Sequence, residues 1–139
     1  MMIDVHFHPL PGEMDSDVAG IMRRAKEAGI AGAIACALDA PTCETMVALA
    51  HDVPGLAAAV GYHPWYLREK VDTARLERYL DDPAVVALGE IGLDGKIEIP
   101  MATKEEAFAA QLELARRRSV PVIIHSRGAF QKTLDAVRP

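Results

Sequence analysis

The chain has little of what marks several protein classes. Cys36 and Cys43 are its only cysteines in 139 residues. Their spacing matches neither a zinc knuckle nor a Cys-x-x-Cys redox pair, so they read as buried, inert thiols in a reducing cytoplasm. Aromatic residues make up 5%, and no stacking platform for single-stranded nucleic acid is visible. The formal net charge is −5, which gives no general attraction to nucleic acid or to an anionic membrane. No apolar run approaches the length of a membrane span, and no basic segment followed by an apolar stretch marks a signal peptide at the N-terminus. Linkers and low-complexity stretches are also missing, so residues 1–139 are expected to form a single domain.

What is present is a regular alternation. Half of the residues are hydrophobic, enough for a real core. The pattern predicts strands at Ile3–Phe7, Ala31–Ala37, Leu56–Gly61, Val85–Gly89 and Val120–His125. Between and after them it predicts helices at Asp17–Ala28, capped by Asp15 or Ser16, and at Pro41–His51, Thr73–Leu80, Thr103–Arg118 and Ala129–Val137. Thr103 and Glu106 form a capping-box pattern for the fourth helix. The strands are apolar nearly throughout, as parallel strands covered by helices are. Five βα units in series give an α/β fold with right-handed crossovers. Two architectures fit: an open doubly wound sheet, which the length favours, or the first five units of an eight-stranded barrel.

Polar residues gather at the C-terminal ends of the predicted strands, where α/β enzymes place their sites. The first strand ends in Asp4-Val5-His6-Phe7-His8. Residues two apart on a strand share a face, so His6 and His8 project side by side and read as half of a metal site. His63 follows the third strand. Glu90 follows the fourth, between Gly89 and Gly92, which allow backbone to approach a ligand, a metal or a neighbouring strand. His125 and Arg127 close the fifth. His51, in the last turn of the second helix, suits the helix dipole and is given no functional role.

Geometry ties the site to the fold. In an open sheet of order 2-1-3-4-5, the first and fifth strands stand three spacings apart, roughly 14 Å. In a barrel the strand ends face one another across a narrow interior. If His6, His8, Glu90 and His125 act together, the barrel is required.

Taken together, Asp4-Val5-His6-Phe7-His8, Gly61-Tyr62-His63-Pro64, Gly89-Glu90-Ile91-Gly92-Leu93-Asp94 and Pro121-Val122-Ile123-Ile124-His125-Ser126-Arg127 resemble the TatD-like family of metal-dependent hydrolases, a branch of the amidohydrolase-type barrels. Phe108-Ala109-Ala110-Gln111-Leu112-Glu113-Leu114-Ala115 is similar to the family's Phe-x-x-Gln-Leu-x-Leu-Ala pattern. The resemblance implies a TIM-type (β/α)8 barrel, of which this chain supplies about the first five βα units. It also implies two divalent ions, zinc, manganese or magnesium, with iron a further candidate for the histidine and carboxylate donors. His6 and His8 would hold one ion, Glu90 would bridge both, and His125 would hold the second. His63 and Arg127 would bind substrate at the mouth, through a phosphate or another anionic group. Asp4 would support the histidines or the strand.

The family's pattern continues with a histidine on a sixth strand and a catalytic aspartate on an eighth, positions beyond Pro139. Gly95-Lys96 departs from it too, standing where the family often carries an aromatic residue. The function so implied is hydrolysis of a phosphodiester, DNA for example, by a water activated between two metals. The alternatives are hydrolysis of an ester or amide, such as an aminoacyl-tRNA, and a non-catalytic fragment or assembly partner. The chain alone is expected to be inactive or weakly active. It is expected to avoid membranes and either to self-associate or to be completed by a further C-terminal segment.

Overall fold

The computed structural model describes residues 2–10 and 17–138. Five strands alternate with five helices: β1 (Met2–Phe7), α1 (Val18–Glu27), β2 (Ile30–Cys36), α2 (Ala40–Asp52), β3 (Leu56–Val60), α3 (Thr73–Tyr79), β4 (Val85–Asp94), α4 (Met101–Arg118), β5 (Val122–Arg127) and α5 (Phe130–Val137). Every strand pairs in parallel with the next, in the order β1-β2-β3-β4-β5. That order excludes the open 2-1-3-4-5 sheet. It is the strand order of a (β/α)8 barrel, and the chain forms five of its βα units.

The sheet is curled. β1 and β4 are three strand spacings apart, which a flat sheet would hold at about 14 Å. Yet His6 Nε2 of β1 lies 2.9 Å from Glu90 Oε2 of β4. Small side chains let the strands bend this closely. Cys36, Ala59 and Ala87 pack with Ile34 and Ile123 in a cluster of their own beneath the site. The alternate residues, among them Ala35, Ala58, Val60 and Leu88, join Met22, Met46, Leu76 and Leu114 in the larger core under the helices.

Local chemistry sets the element ends. Asp17 caps α1 by accepting the Gly20 N–H at 2.7 Å. The expected caps Asp15 and Ser16 lie outside the described residues, and the cap is the residue that follows them. The capping box belongs to α2, where Asp39 accepts the Thr42 N–H at 3.0 Å and Thr42 Oγ1 accepts the Asp39 N–H at 2.8 Å. Thr103 and Glu106 do not cap α4. That helix starts two residues earlier, after Pro100, with no side-chain cap. Proline has no N–H to satisfy and its φ of −53° already suits a helix entry, so Thr103 falls inside the first turn.

Most strand boundaries move by a residue or so, and two of the larger shifts have a clear cause. β5 begins at Val122 rather than Val120, because Ser119 ends α4 in a left-handed turn (φ 52°) and the Val120 N–H is taken by Ala115 O. β4 runs on to Asp94 instead of stopping at Gly89. Ile91, Gly92, Leu93 and Asp94 pair with Ile124, His125, Ser126 and Arg127, so the glycine-flanked segment is strand. The glycines make the close approach of β5: a Cβ on Gly92 would sit 2.0 Å from His125 O, and one on Gly89 would sit 2.6 Å from Ile123 Cβ.

β1 and β5 each have an outer edge with no partner strand among the described residues. Met2, Ile3 and Val5 on β1 and Phe130 at the start of α5 are all exposed. No helix among the described residues is long and apolar enough to cross a membrane.

Gly92→Ala should cost about 1–3 kcal/mol of unfolding free energy, because φ at Gly92 is +148° and the added methyl would meet backbone. Urea unfolding measures this. A variant as stable as the parent would show that β4 and β5 do not approach as described.

Candidate metal centre

The C-terminal ends of the strands bring His6, His8, His63, Glu90 and His125 around one cleft of about 320 Å³. Another cleft of similar size, lined by Leu67, Val71, Thr103 and Ala107 beside α4, gathers no histidine. Glu90 lies at the centre of the first, with its side chain only 4% exposed. Its two oxygens face different partners. Oε2 is 2.9 Å from His6 Nε2 and 3.0 Å from His8 Nε2, while Oε1 is 3.1 Å from His125 Nδ1. His6 Nε2 and His8 Nε2 are themselves 2.9 Å apart. Two sets of potential ligand atoms result: His6, His8 and Glu90, and His63, Glu90 and His125.

The protons decide what each group can do. Cys36 O can only accept, and it lies 2.9 Å from His8 Nδ1. His8 therefore carries its proton on Nδ1 and turns the Nε2 lone pair toward Glu90. His125 is fixed the same way from its other side. The Asp94 carboxylate lies 2.9 Å from His125 Nε2, so the proton sits there and the Nδ1 lone pair faces Glu90. Burial pushes the Glu90 carboxyl up, but the imidazoles of His8, His63 and His6 around it outweigh burial and hold it at about 2. An ionised carboxylate thus meets two lone pairs at about 3 Å. Two acceptors at that distance repel unless a proton or a cation lies between them. Ligand atoms bonded at about 2.1 Å around one ion stand about 3 Å apart, so the residues fit a divalent metal.

His63 differs from the other three. The Trp65 backbone N–H donates to its Nδ1 at 3.1 Å. Burial lowers its pKa to about 4, so the ring is neutral near pH 7 and its proton is on Nε2. That Nε2–H points into the cleft, 3.1 Å from His125 Nδ1 and 3.5 Å from Glu90 Oε2. It offers a hydrogen-bond donor there, not a lone pair. Gln111 of α4 holds this loop, accepting the Tyr62 N–H at 2.8 Å and donating to Tyr62 O at 3.2 Å. Arg127 stands at the rim, its side chain more than half exposed and 3.9 Å from Asp94 Oδ2. Asp4 supports β1, accepting the His6 N–H at 3.1 Å. His51 lies elsewhere, paired with Asp82. Cys36 and Cys43 are buried and free, their thiols pushed up by desolvation to about 11 and about 12.

Sequence reasoning missed Asp94. It has no exposed surface, and it accepts from Trp65 Nε1 at 2.6 Å, His125 Nε2 at 2.9 Å and Lys96 N at 2.6 Å. Its backbone oxygen accepts from the buried Lys104 ammonium. Burial pushes its carboxyl up, but the Trp65, His125 and Lys96 donors win and bring it from 3.8 to about 2. The four-residue spacing of Glu90 and Asp94 puts them on one face only once β4 is seen to run through Asp94.

Asp94→Asn should break this support. Whichever way the amide sits, its NH2 faces an N–H, of Lys96 or of Trp65 and His125. Unfolding free energy should fall by about 1–3 kcal/mol. Affinity for a metal at the His125 side should fall roughly 10–100-fold. The lowered pKa means Asp94 stabilises the parent fully above the ordinary carboxylate range and less as pH falls from 3.8 toward about 2. Acid titration of both proteins checks this, and the variant should lack that step.

The family described as TatD related DNase matches residues 3–139. A metal-dependent hydrolase of uncharacterised function, TatD of Mycobacterium tuberculosis, is 34% identical over 147 residues, covering 99% of this chain and 56% of its own. The 3'-5' ssDNA/RNA exonuclease TatD of Erwinia billingiae is 33% identical, covering 99% and 54%. Among solved structures, the TatD homologue YJJV of Escherichia coli K12 superposes with a TM-score of 0.87 at 34% identity, covering 95% of this chain and 53% of that one. The chain spans about half the length of the curated relatives it matches.

Proposed function

Because the chain belongs to the TatD-related DNase family, we propose that it supplies the first five βα units of a metal-dependent hydrolase that cleaves phosphodiester bonds in single-stranded nucleic acid. The observation that carries this reading is the divided Glu90 carboxylate, one oxygen against His6 and His8 and the other against His125. Relatives named as 3'-5' ssDNA/RNA exonucleases supply the substrate class.

His6, His8 and Glu90 Oε2 would hold one divalent ion, and Glu90 Oε1 with His125 Nδ1 would hold a second. When bound, such ions activate a water at neutral pH and neutralise charge that develops on the phosphate oxygens. The chain's own residues orient the substrate around them. The His63 Nε2–H donates to a phosphate oxygen in the cleft. Arg127 offers its planar fork to the next phosphate at the rim. Local contacts of this kind suit a chain whose net charge is −5, since broad electrostatic attraction to the polymer is missing.

This chain gives three donor atoms to the first ion and two to the second. Further strands lying against the open edges of β1 and β5, from a continuing segment or from another copy, would complete the second ion and close the barrel. Calorimetric titration of the chain alone with zinc should therefore show one tight site per chain. Two tight sites would show that nothing needs completing. Because an imidazole binds metal only when neutral, affinity should rise with pH through the range where histidine titrates. Glu90, held at about 2, stays ionised throughout and adds nothing to that slope.

Protein isolated from its own cells, with any further segment or partner retained, should release nucleotides from single-stranded DNA or RNA when given a divalent metal and stop when it is chelated. Glu90→Gln should reduce kcat/KM by at least the roughly 10–100-fold typical of a lost supporting residue around a metal. Deacylation of an ester or amide without nucleotide release would overturn the phosphodiester reading. Activity unchanged by replacing His6 and His8 with alanine would overturn the metal centre altogether.

A further inference from the structure

Trp65 is the only tryptophan in the chain, and it is 45% exposed. A large apolar ring left open to water is a conspicuous feature, and this one sits at a specific place. It lines the same cleft as His6, His8, His63, Glu90 and His125. Its ring centre is 5.9 Å from that of His125 and 5.4 Å from that of His63, both edge-on. The indole thus stands within the span of one nucleotide of the groups that would hold the reacting phosphate.

The ring is also fixed. Its Nε1–H donates to Asp94 Oδ2 at 2.6 Å. Asp94 cannot move aside, because Lys96 N and His125 Nε2 hold the same carboxylate in a fully buried position. The Trp65 backbone N–H is held in turn by His63 Nδ1. An exposed side chain normally samples several rotamers, and here the polar edge of the ring is pinned while much of its surface stays open. The guanidinium of Arg127 lies 5.7 Å from the ring centre and brings positive charge to the same spot.

We infer that Trp65 is a stacking platform for the nucleobase next to the scissile phosphodiester, with Arg127 neutralising the flanking phosphate. The inference rests on the phosphodiester reading and deepens it by assigning how substrate is gripped. A rigid indole offers a flat π-face at low entropic cost. Stacking accepts every base, because every base has such a face, so the platform serves an enzyme without sequence preference. It also answers a difficulty set by composition. An acidic chain cannot rely on many phosphate contacts, and one fixed ring beside one arginine gives affinity that does not depend on net charge.

The lone tryptophan makes the test direct, since all indole fluorescence comes from the platform. With zinc or magnesium present, a single-stranded oligonucleotide should quench that fluorescence saturably. An oligomer of equal length built from abasic sites should not. Oligonucleotides of different base composition should bind with similar affinity. Equal quenching by the base-bearing and abasic oligomers, or quenching by neither, overturns the platform.

Two variants separate stacking from the hydrogen bond to Asp94. Trp65→Phe keeps a ring but loses the N–H, and Trp65→Leu loses both. Stacking predicts that labelled oligonucleotide binds Trp65→Leu roughly tenfold more weakly than the parent, with Trp65→Phe in between. An equal loss in both variants would assign Trp65 only a role in holding Asp94, and would overturn the inference. The two readings fail separately. Cleavage that proceeds equally well on abasic substrate removes the platform and keeps the nuclease. Base-dependent quenching without metal-dependent cleavage keeps the platform and removes the nuclease.

Discussion

A carboxylate buried among imidazoles is the constraint around which this end of the molecule is arranged. Glu90 is almost fully enclosed and stays ionised, and an isolated buried charge of that kind would be costly. It is tolerable because lone pairs that can share a cation with it come from β1 and β5, and a hydrogen-bond donor comes from the loop after β3. Those partners belong to strands that a flat sheet would keep apart. The curl of the sheet and the charge at its mouth are therefore one arrangement. Small residues at Cys36, Ala59 and Ala87 let the strands bend, and the glycines at 89 and 92 let β5 lie against β4 so that His125 arrives opposite Gly92.

Position alone would not make a metal centre of these histidines. Each ring has two nitrogens, and its role depends on which one carries the proton. A backbone oxygen settles this for His8, a buried carboxylate for His125 and a backbone N–H for His63. The first two present lone pairs and the third presents a hydrogen. Three identical side chains within a few ångströms of one carboxylate thus acquire two different chemistries. Asp94 is central to the second half of the site, and donors from α4, β5, the loop after β3 and the loop between β4 and α4 hold it in place. This support extends well beyond the ligands, as outer contacts around metals commonly do.

The distribution of donors fits the partial length of the chain against its relatives. In the proposed centre, three ligand atoms would stand on one side and, with His63 as a donor, two on the other. The open edges of β1 and β5 lie on either side of the gap where further strands of a barrel would run.

Much of this was legible in the residues. Apolar strands without alternation announced a parallel sheet under helices, and the strand-end histidines and Glu90 announced a cluster of candidate metal ligands, which the fold brings together. The glycines beside Glu90 signalled a close approach, which proved to be a neighbouring strand. Other features were not readable. The Thr103-x-x-Glu106 pattern looks like a cap, but Pro100 had already started the helix. Asp94 looks like the end of a loop motif until pairing with β5 makes the segment strand and turns Asp94 inward beside Glu90. Trp65 is one aromatic residue in a chain with few, and composition cannot show that a buried carboxylate pins it at the rim of the cleft.

The sequence by itself determined which side chains carry charge and lone pairs, and their period along each strand. Those properties belong to single residues and short stretches. Only the tertiary structure decided strand order, curvature and the protonated nitrogen of His8, His63 and His125. These depend on contacts between segments as far apart as His6 and Glu90, where a few ångströms separate a metal centre from a scatter of polar residues.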